Sequence, residues 1–253
     1  MDRAPRERCV LALLATVGLV GAEFAVSVPG AEAVANTCRA RNLTQGQGFG
    51  DADVQRVINE ADRGDTISVK YRCVGSFTID MRLTLVGHST PEAPLPVLHG
   101  NGEGRVLFIC ANVTLTDLKI TRGVVPGKDG GILNTGNLTL NDTVVTGNTA
   151  NLGGGISNRK GIVTLDGSSS VGGNTVEYSG GGIYNWQGAV TMNDSSSLSG
   201  NTNAVGSGGG IFNGDSGIVN ACDGRSVDEW IGTVEPNAPN DFRDGGVILL
   251  SCT

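Results

Sequence analysis

A short motif returns four times in this chain: Gly130-Gly131-Ile132-Leu133-Asn134, Gly154-Gly155-Ile156-Ser157-Asn158, Gly181-Gly182-Ile183-Tyr184-Asn185 and Gly209-Gly210-Ile211-Phe212-Asn213. Successive copies are 24, 27 and 28 residues apart. A glycine follows each copy, and then a short apolar-polar-apolar run: Leu138-Thr139-Leu140, Val163-Thr164-Leu165, Val190-Thr191-Met192 and a shorter Ile218-Val219. The first three units close with Gly147-Asn148-Thr149, Gly173-Asn174-Thr175 and Gly200-Asn201-Thr202. Self-similarity at this period marks a solenoid, and several short strands per unit make each unit one coil of a parallel β-helix. Strands of adjacent coils pair about 4.8 Å apart, so equivalent residues stack into columns. Alternation sends Ile183 and Asn185 to one face and Tyr184 and Trp186 to the other. The glycine clusters and Gly-Asn pairs are expected between strands, where the chain turns with positive φ. Leucine-rich repeats need a denser leucine pattern, and the calcium-binding nonapeptide signature G-G-x-G-x-D is absent.

Composition agrees. Glycine supplies 40 of the 253 residues, about twice the usual share, but without the three-residue period of collagen. Hydrophobic residues make up 39%, enough to bury a face and to exclude a disordered chain. This much Gly, Ser, Thr and Asn is costly in helix interiors, which excludes a compact helical enzyme. The fold class is therefore all-β, a single-domain parallel β-helix.

Upstream of the repeats, β character continues at Thr66–Val69, Phe77–Ile79, Leu83–Val86, Arg105–Ile109 and Val113–Thr116. One helix is expected. Val54, Val57, Ile58 and Ala61 share a stripe, Asp51 or Asp53 can cap its start, and Gly64 can stop it. Such a helix suits the open end of a solenoid core. Three arginines, an apolar run from Val10 to Val20 and the small residues up to Ala35 read as a secretory signal peptide. The expected organisation is a signal peptide over 1–35, an N-terminal cap over 36–65, coils over 66–221 and a C-terminal cap over 222–253. No later segment is apolar enough to span a membrane. The net charge of −7 disfavours nucleic acid or an anionic membrane as partner.

Export makes cysteine pairing plausible. Cys38 with Cys73 would staple the N-terminal region, and Cys222 with Cys252 the C-terminal end. Cys110 would be left over, buried as a small hydrophobe. The spacings match no metal site, and no metal or cofactor is expected.

Candidate chemistry is sparse. Asp117, Asp142 and Asp194 each follow a strand, where an aspartate bonding its own turn is the simplest reading. Lys70, Lys119 and Arg122 read as a solvated charged face, and His88 and His99 as turn histidines. Ser168–Ser170 and Ser195–Ser197 lie one coil apart, with no histidine or acid motif beside them. Asn134, Asn158, Asn185 and Asn213 are expected to form a structural ladder of stacked amides. Tyr184, Trp186 and Phe212 should face outward together, a surface able to stack on sugar rings in a chain with 4% aromatics.

The run Gly64–Val69, the stretch Leu83–His88, the segment Val113–Gly123 and the Gly-Gly-Ile-x-Asn units resemble secreted right-handed parallel β-helix proteins of the pectin-lyase-like superfamily. Within that group, the repeats are similar to those of bacterial polymorphic outer-membrane proteins. The resemblance covers roughly Asp51 to Asn213 and implies the fold. Where that group often carries Leu-Asp-Gly, this chain reads Leu98-His99-Gly100, and no aspartate-based role is assigned there. These coils carry lyases, glycosidases, adhesins and inert stalks alike. The function expected is an exported, non-catalytic cell-surface or extracellular module for adhesion or glycan binding, with extracellular polysaccharide or cell-surface glycan as its partner. The alternative is a polysaccharide lyase or glycoside hydrolase. No residue is assigned a catalytic role.

Overall fold

The computed structural model describes residues 38–48, 50, 53–91, 95–206, 208–222, 242–244 and 247–249. The expected signal peptide and Cys252 lie outside these residues. The described chain is a parallel β-solenoid of about six turns. Each coil contributes one strand to each of three long faces, and equivalent strands of successive coils lie side by side. The nine-stranded sheet runs from Arg39–Asn42 through Thr66–Lys70, Leu83–Gly87, Asn112–Thr116, Asn137–Asn141, Ile162–Asp166 and Ala189–Met192 to Ile218–Ala221 and Val247–Leu249. The seven-stranded sheet begins at Phe77–Ile79 and includes Leu107–Ile109, Ile132–Asn134, Ile156–Arg159, Ile183–Trp186 and Ile211–Gly214, ending at Phe242–Asp244. The six-stranded sheet stacks Arg72–Val74, Val97–His99, Lys119–Thr121, Val144–Thr146, Ser170–Gly172 and Ser197–Ser199. A shorter sheet joins Thr149–Leu152, Thr175–Ser179 and Thr202–Asn203. The strands at Phe242–Asp244 and Val247–Leu249 extend two sheets in parallel within the segment assigned to the C-terminal cap.

The register follows the repeat. Ile132, Ile156, Ile183 and Ile211 are consecutive partners, and all four are fully buried. Leu85, Leu115, Leu140 and Leu165 form a parallel column on the nine-stranded sheet, and Leu98, Ile120, Val145 and Val171 on the six-stranded one. Three inward columns meeting on the axis account for a core built almost entirely of aliphatic side chains.

The expected positive φ is found at Gly147, Gly173 and Gly200 of the Gly-Asn pairs and at Gly153, Gly180 and Gly208, the first glycines of their clusters, but not at the two glycines that follow each. Gly154-Gly155 and Gly181-Gly182 do not have positive φ; the residue before each pair does, Gly153 at 63° and Gly180 at 68°. The pairs are required by proximity instead. A Cβ on Gly155 would lie 2.6 Å from the Gly182 carbonyl oxygen and 2.9 Å from the Asn174 amide nitrogen.

The helix spans Val54–Glu60 and buries Val54, Val57 and Ile58. Asp53 caps it, its side chain accepting from the Gln55 N–H at 2.9 Å. Gly64 does not stop it, because Ala61 already closes the last turn with an extended backbone. The helix packs on strands of the first coil, beside Arg39–Asn42, which adds antiparallel to Thr66–Lys70. Cys38 is disulfide-bonded to Cys73. Cys110 corrects the sequence expectation: it is half-buried and disulfide-bonded rather than a left-over thiol. Cys222 is also bonded, and the pairing expected with Cys252 falls outside the described residues.

Candidate functional site

Tyr184 and Trp186 lie on the outward side of the Ile183–Trp186 strand, and Phe212 takes the place of Tyr184 one coil on. The three rings are parallel. Tyr184 and Phe212 stack at 5.1 Å between centroids, and Tyr184 and Trp186 at 6.1 Å. Such pairs stabilise one another by about 0.5–1.5 kcal/mol beyond their buried area. The rings are therefore less open than the sequence suggests: Trp186 is 37% exposed, while Tyr184 and Phe212 are half-buried. The strands that carry the rings run close to the preceding glycines, since a Cβ on Gly180 or Gly208 would strike the backbone at Tyr184 or Phe212. Trp186 is paired in register with Gly214, where a Cβ would stand 3.1 Å from the indole and 2.7 Å from the Phe212 ring. A glycine at 214 leaves room for both rings.

Beside the rings is an ion triad that the sequence reading missed. Asp129, with a side chain only 5% exposed, holds Arg105 at 3.0 Å and Arg159 at 2.7 Å. Arg159 is the register partner of Trp186 and also donates to Ser157 Oγ at 3.2 Å. One carboxylate facing two guanidinium groups leaves a surplus positive charge beside the aromatic cluster. Burial pushes the Tyr184 hydroxyl above the usual phenol range, with Arg159 opposing and Asp129 reinforcing the shift. The arrangement combines apolar ring surface, a phenol and guanidinium donors, the ingredients that hold a sugar ring by stacking and hydrogen bonding.

The asparagines are structural. Asn134 donates to Asn158 Oδ1 at 2.8 Å, Asn158 to Asn185 at 2.8 Å and Asn185 to Asn213 at 2.7 Å, and all four are fully buried. A second ladder hides in the Gly-Asn-Thr units: Asn148 donates to Asn174 and Asn174 to Asn201, each at 3.0 Å. A third buried column, Thr143, Ser169 and Ser196, takes one hydroxyl from each serine triplet. The Thr143 N–H donates to Ser169 Oγ at 3.2 Å.

The carboxylates serve turns. Asp117, Asp142 and Asp194 adopt left-handed backbones, with φ of 52°, 48° and 53°. Asp142 accepts from the Ser168 N–H at 2.9 Å and Asp194 from the Gly167 N–H at 3.0 Å, tying neighbouring coils together. A hollow of about 360 Å³ on the nine-stranded sheet is lined by Arg82, Thr84, Asn112, Thr114 and Asn137 among others, with no carboxylate. Among the described residues no group of three His, Cys, Asp or Glu side chains could hold a metal ion. The cations separate: Lys70 lies over the Tyr71 ring, Lys119 lies on the outer side of the six-stranded sheet with His99, and Arg122 sits in the turn that follows the same strand. No family model, curated protein or solved structure matches the chain.

Proposed function

We propose that the chain is an exported, non-catalytic parallel β-helix module that binds glycans, and that it belongs with the right-handed pectin-lyase-like proteins whose Gly-Gly-Ile-x-Asn repeats are like those of polymorphic outer-membrane proteins. The observation that carries the reading is the stacked cluster of Tyr184, Trp186 and Phe212 beside Arg159. These rings take outward positions on a regular coil, where the repeat itself asks only for a residue that tolerates solvent. The Cys38–Cys73 bond supports an oxidising compartment. The backbone-bonded aspartates support binding rather than hydrolysis, because glycoside hydrolysis uses carboxylates set free toward a sugar at about 5–9.5 Å from each other.

The test is a screen of the purified chain against immobilised neutral and acidic polysaccharides, scored for binding and for cleavage. Trp186→Ala should weaken binding to any hit by about 1–3 kcal/mol, roughly ten- to a hundredfold. Because the indole packs against Gly214 and near Tyr184, circular dichroism must accompany the measurement, and Trp186→Phe should recover part of the affinity. Undiminished binding by Trp186→Ala sinks the site. Cleavage products that vanish in Asp142→Asn or Asp194→Asn would replace the module with an enzyme.

A further inference from the structure

A second surface, on a different face of the solenoid, has the opposite electrostatic character to the chain as a whole. Arg72, Val97 and Lys119 are register partners along the outer side of the six-stranded sheet, and Val74, His99 and Thr121 form the next column. Arg122 follows Thr121 directly and is exposed, as is Arg72. No carboxylate among the described residues lies within ion-pair distance of Arg72, Lys119 or Arg122. Among the described residues, Asp117 lies just before the strand Lys119–Thr121 and the exposed Glu103 in the turn after Val97–His99.

Two details argue that the positive charge is placed rather than incidental. The first is Arg122. It has a φ of 60° in the column that Gly147, Gly173 and Gly200 occupy in the following three coils, at 64°, 64° and 62°. That backbone suits glycine and is unfavourable for a residue with a Cβ, so an arginine stands here against its conformational preference. The second is His99. Arg72 Nη2 lies 3.2 Å from its Nδ1 and 3.0 Å from its Nε2, and the Asn101 N–H donates to Nδ1 at 3.0 Å. Burial, then Arg72, then Arg122 hold this imidazole below its ordinary protonation range. An anion held by Arg72 and Arg122 would offset the charge that both arginines direct at His99.

We propose that Arg72 and Arg122 beside His99, with Lys119 on the same face, form a binding site for the sulfate or phosphate groups of an anionic polymer. A tetrahedral group offers three or four acceptor oxygens to donors arriving from several directions, whereas one guanidinium edge already satisfies a carboxylate. The site is independent of the aromatic cluster and acts whether or not that cluster binds glycans.

The experiment measures affinity of the purified chain for dextran sulfate and for polyphosphate, with uncharged dextran and polygalacturonate as controls, across a salt series. Dextran sulfate, polyphosphate or both should bind, with affinity falling as salt rises. Polygalacturonate should bind at least about tenfold more weakly, and uncharged dextran not at all. Arg122→Gly is the decisive variant. It should lower affinity about tenfold or more while leaving Tm at or above that of the parent chain, since glycine fits the backbone better. Lys119→Gln should weaken binding similarly, and Trp186→Ala should leave it unchanged. Binding insensitive to Arg122→Gly and Lys119→Gln overturns the proposal, as does equal affinity for polygalacturonate. A drop in Tm accompanying the Arg122→Gly loss would assign Arg122 to the fold and overturn it too.

Discussion

At the scale of single residues, this chain places charge where its own repeat uses glycine. Asp129 precedes the first Gly-Gly pair with φ of 76°, in the position that Gly153, Gly180 and Gly208 fill at 63°, 68° and 69°. Arg122 does the same in a second column. Both changes fall in one coil, and each carries a cluster: Asp129 the two arginines beside the aromatic rings, Arg122 the cationic face around His99. The histidine offers a direct check. Its burial and the neighbouring Arg72 and Arg122 lower its folded-state pKa beneath the ordinary value near 6.5. The unfolded chain therefore takes up this proton at a higher pH than the folded one. Stability linked to His99 is complete above about pH 6.5 and is lost as pH falls from there toward the folded pKa. With only two histidines in the chain, an imidazole NMR titration should resolve both, and His99→Gln identifies the resonance. An inflection for His99 above the ordinary value would contradict the arginine contacts. His99→Gln should also flatten the stability profile across that window.

At the scale of elements, the coils are joined by polar ladders as well as by the aliphatic columns. Asn174 shows why. Its amide donates to the Asn201 side chain and to the Val145 carbonyl, while its oxygen accepts from both the backbone and side-chain N–H of Asn148. Removing it orphans fully buried groups in two coils, each worth about 1–3 kcal/mol. Asn174→Ala should therefore cost about 2–4 kcal/mol in urea denaturation, against little for the exposed Asn112→Ala. Equal costs would mean the ladder adds nothing to what solvent supplies. The isoleucine column and the first asparagine column were legible in the sequence, because alternation along one strand and the repeat register determine them together. The second ladder was hidden because Gly-Asn is equally a turn signal, and only stacking brings Asn148, Asn174 and Asn201 within reach. The glycine pairs were misread for a related reason: their constraint is a carbonyl of the next coil, which no local pattern reveals. Strands such as Arg72–Val74 and Ser197–Ser199 put one side chain inward and leave no alternation to detect. The aromatic half of the candidate site was readable from Tyr184 and Trp186. The Arg105–Asp129–Arg159 triad was not, since its members meet only across coils.

At the scale of the whole molecule, a solenoid is stabilised by contacts between nearest neighbours, so damage at one end need not reach the other. The N-terminal end has three fastenings: the antiparallel strand Arg39–Asn42, the helix Val54–Glu60 and the Cys38–Cys73 bond. The bond closes a sequence separation of 35 residues, which in the chain-entropy account contributes about 3–4 kcal/mol. Cys73 is also fully buried in the inward column of the six-stranded sheet, paired with Leu98. Cutting the bond with Cys38→Ser frees the preceding strand and helix to lift away while leaving Cys73 in the core. The strand Thr66–Lys70, whose two neighbours are Arg39–Asn42 and Leu83–Gly87, would then lose one partner and become an edge. The expected signature is regional. Amide hydrogen exchange should accelerate over Thr66–Lys70 and Phe77–Ile79, where the helix packs, while Ile156–Arg159 and Ile162–Asp166 keep their protection. Uniform acceleration along all coils would show instead that the solenoid unfolds as one cooperative unit, with the N-terminal cap acting as its rate-setting nucleus rather than as a local clamp.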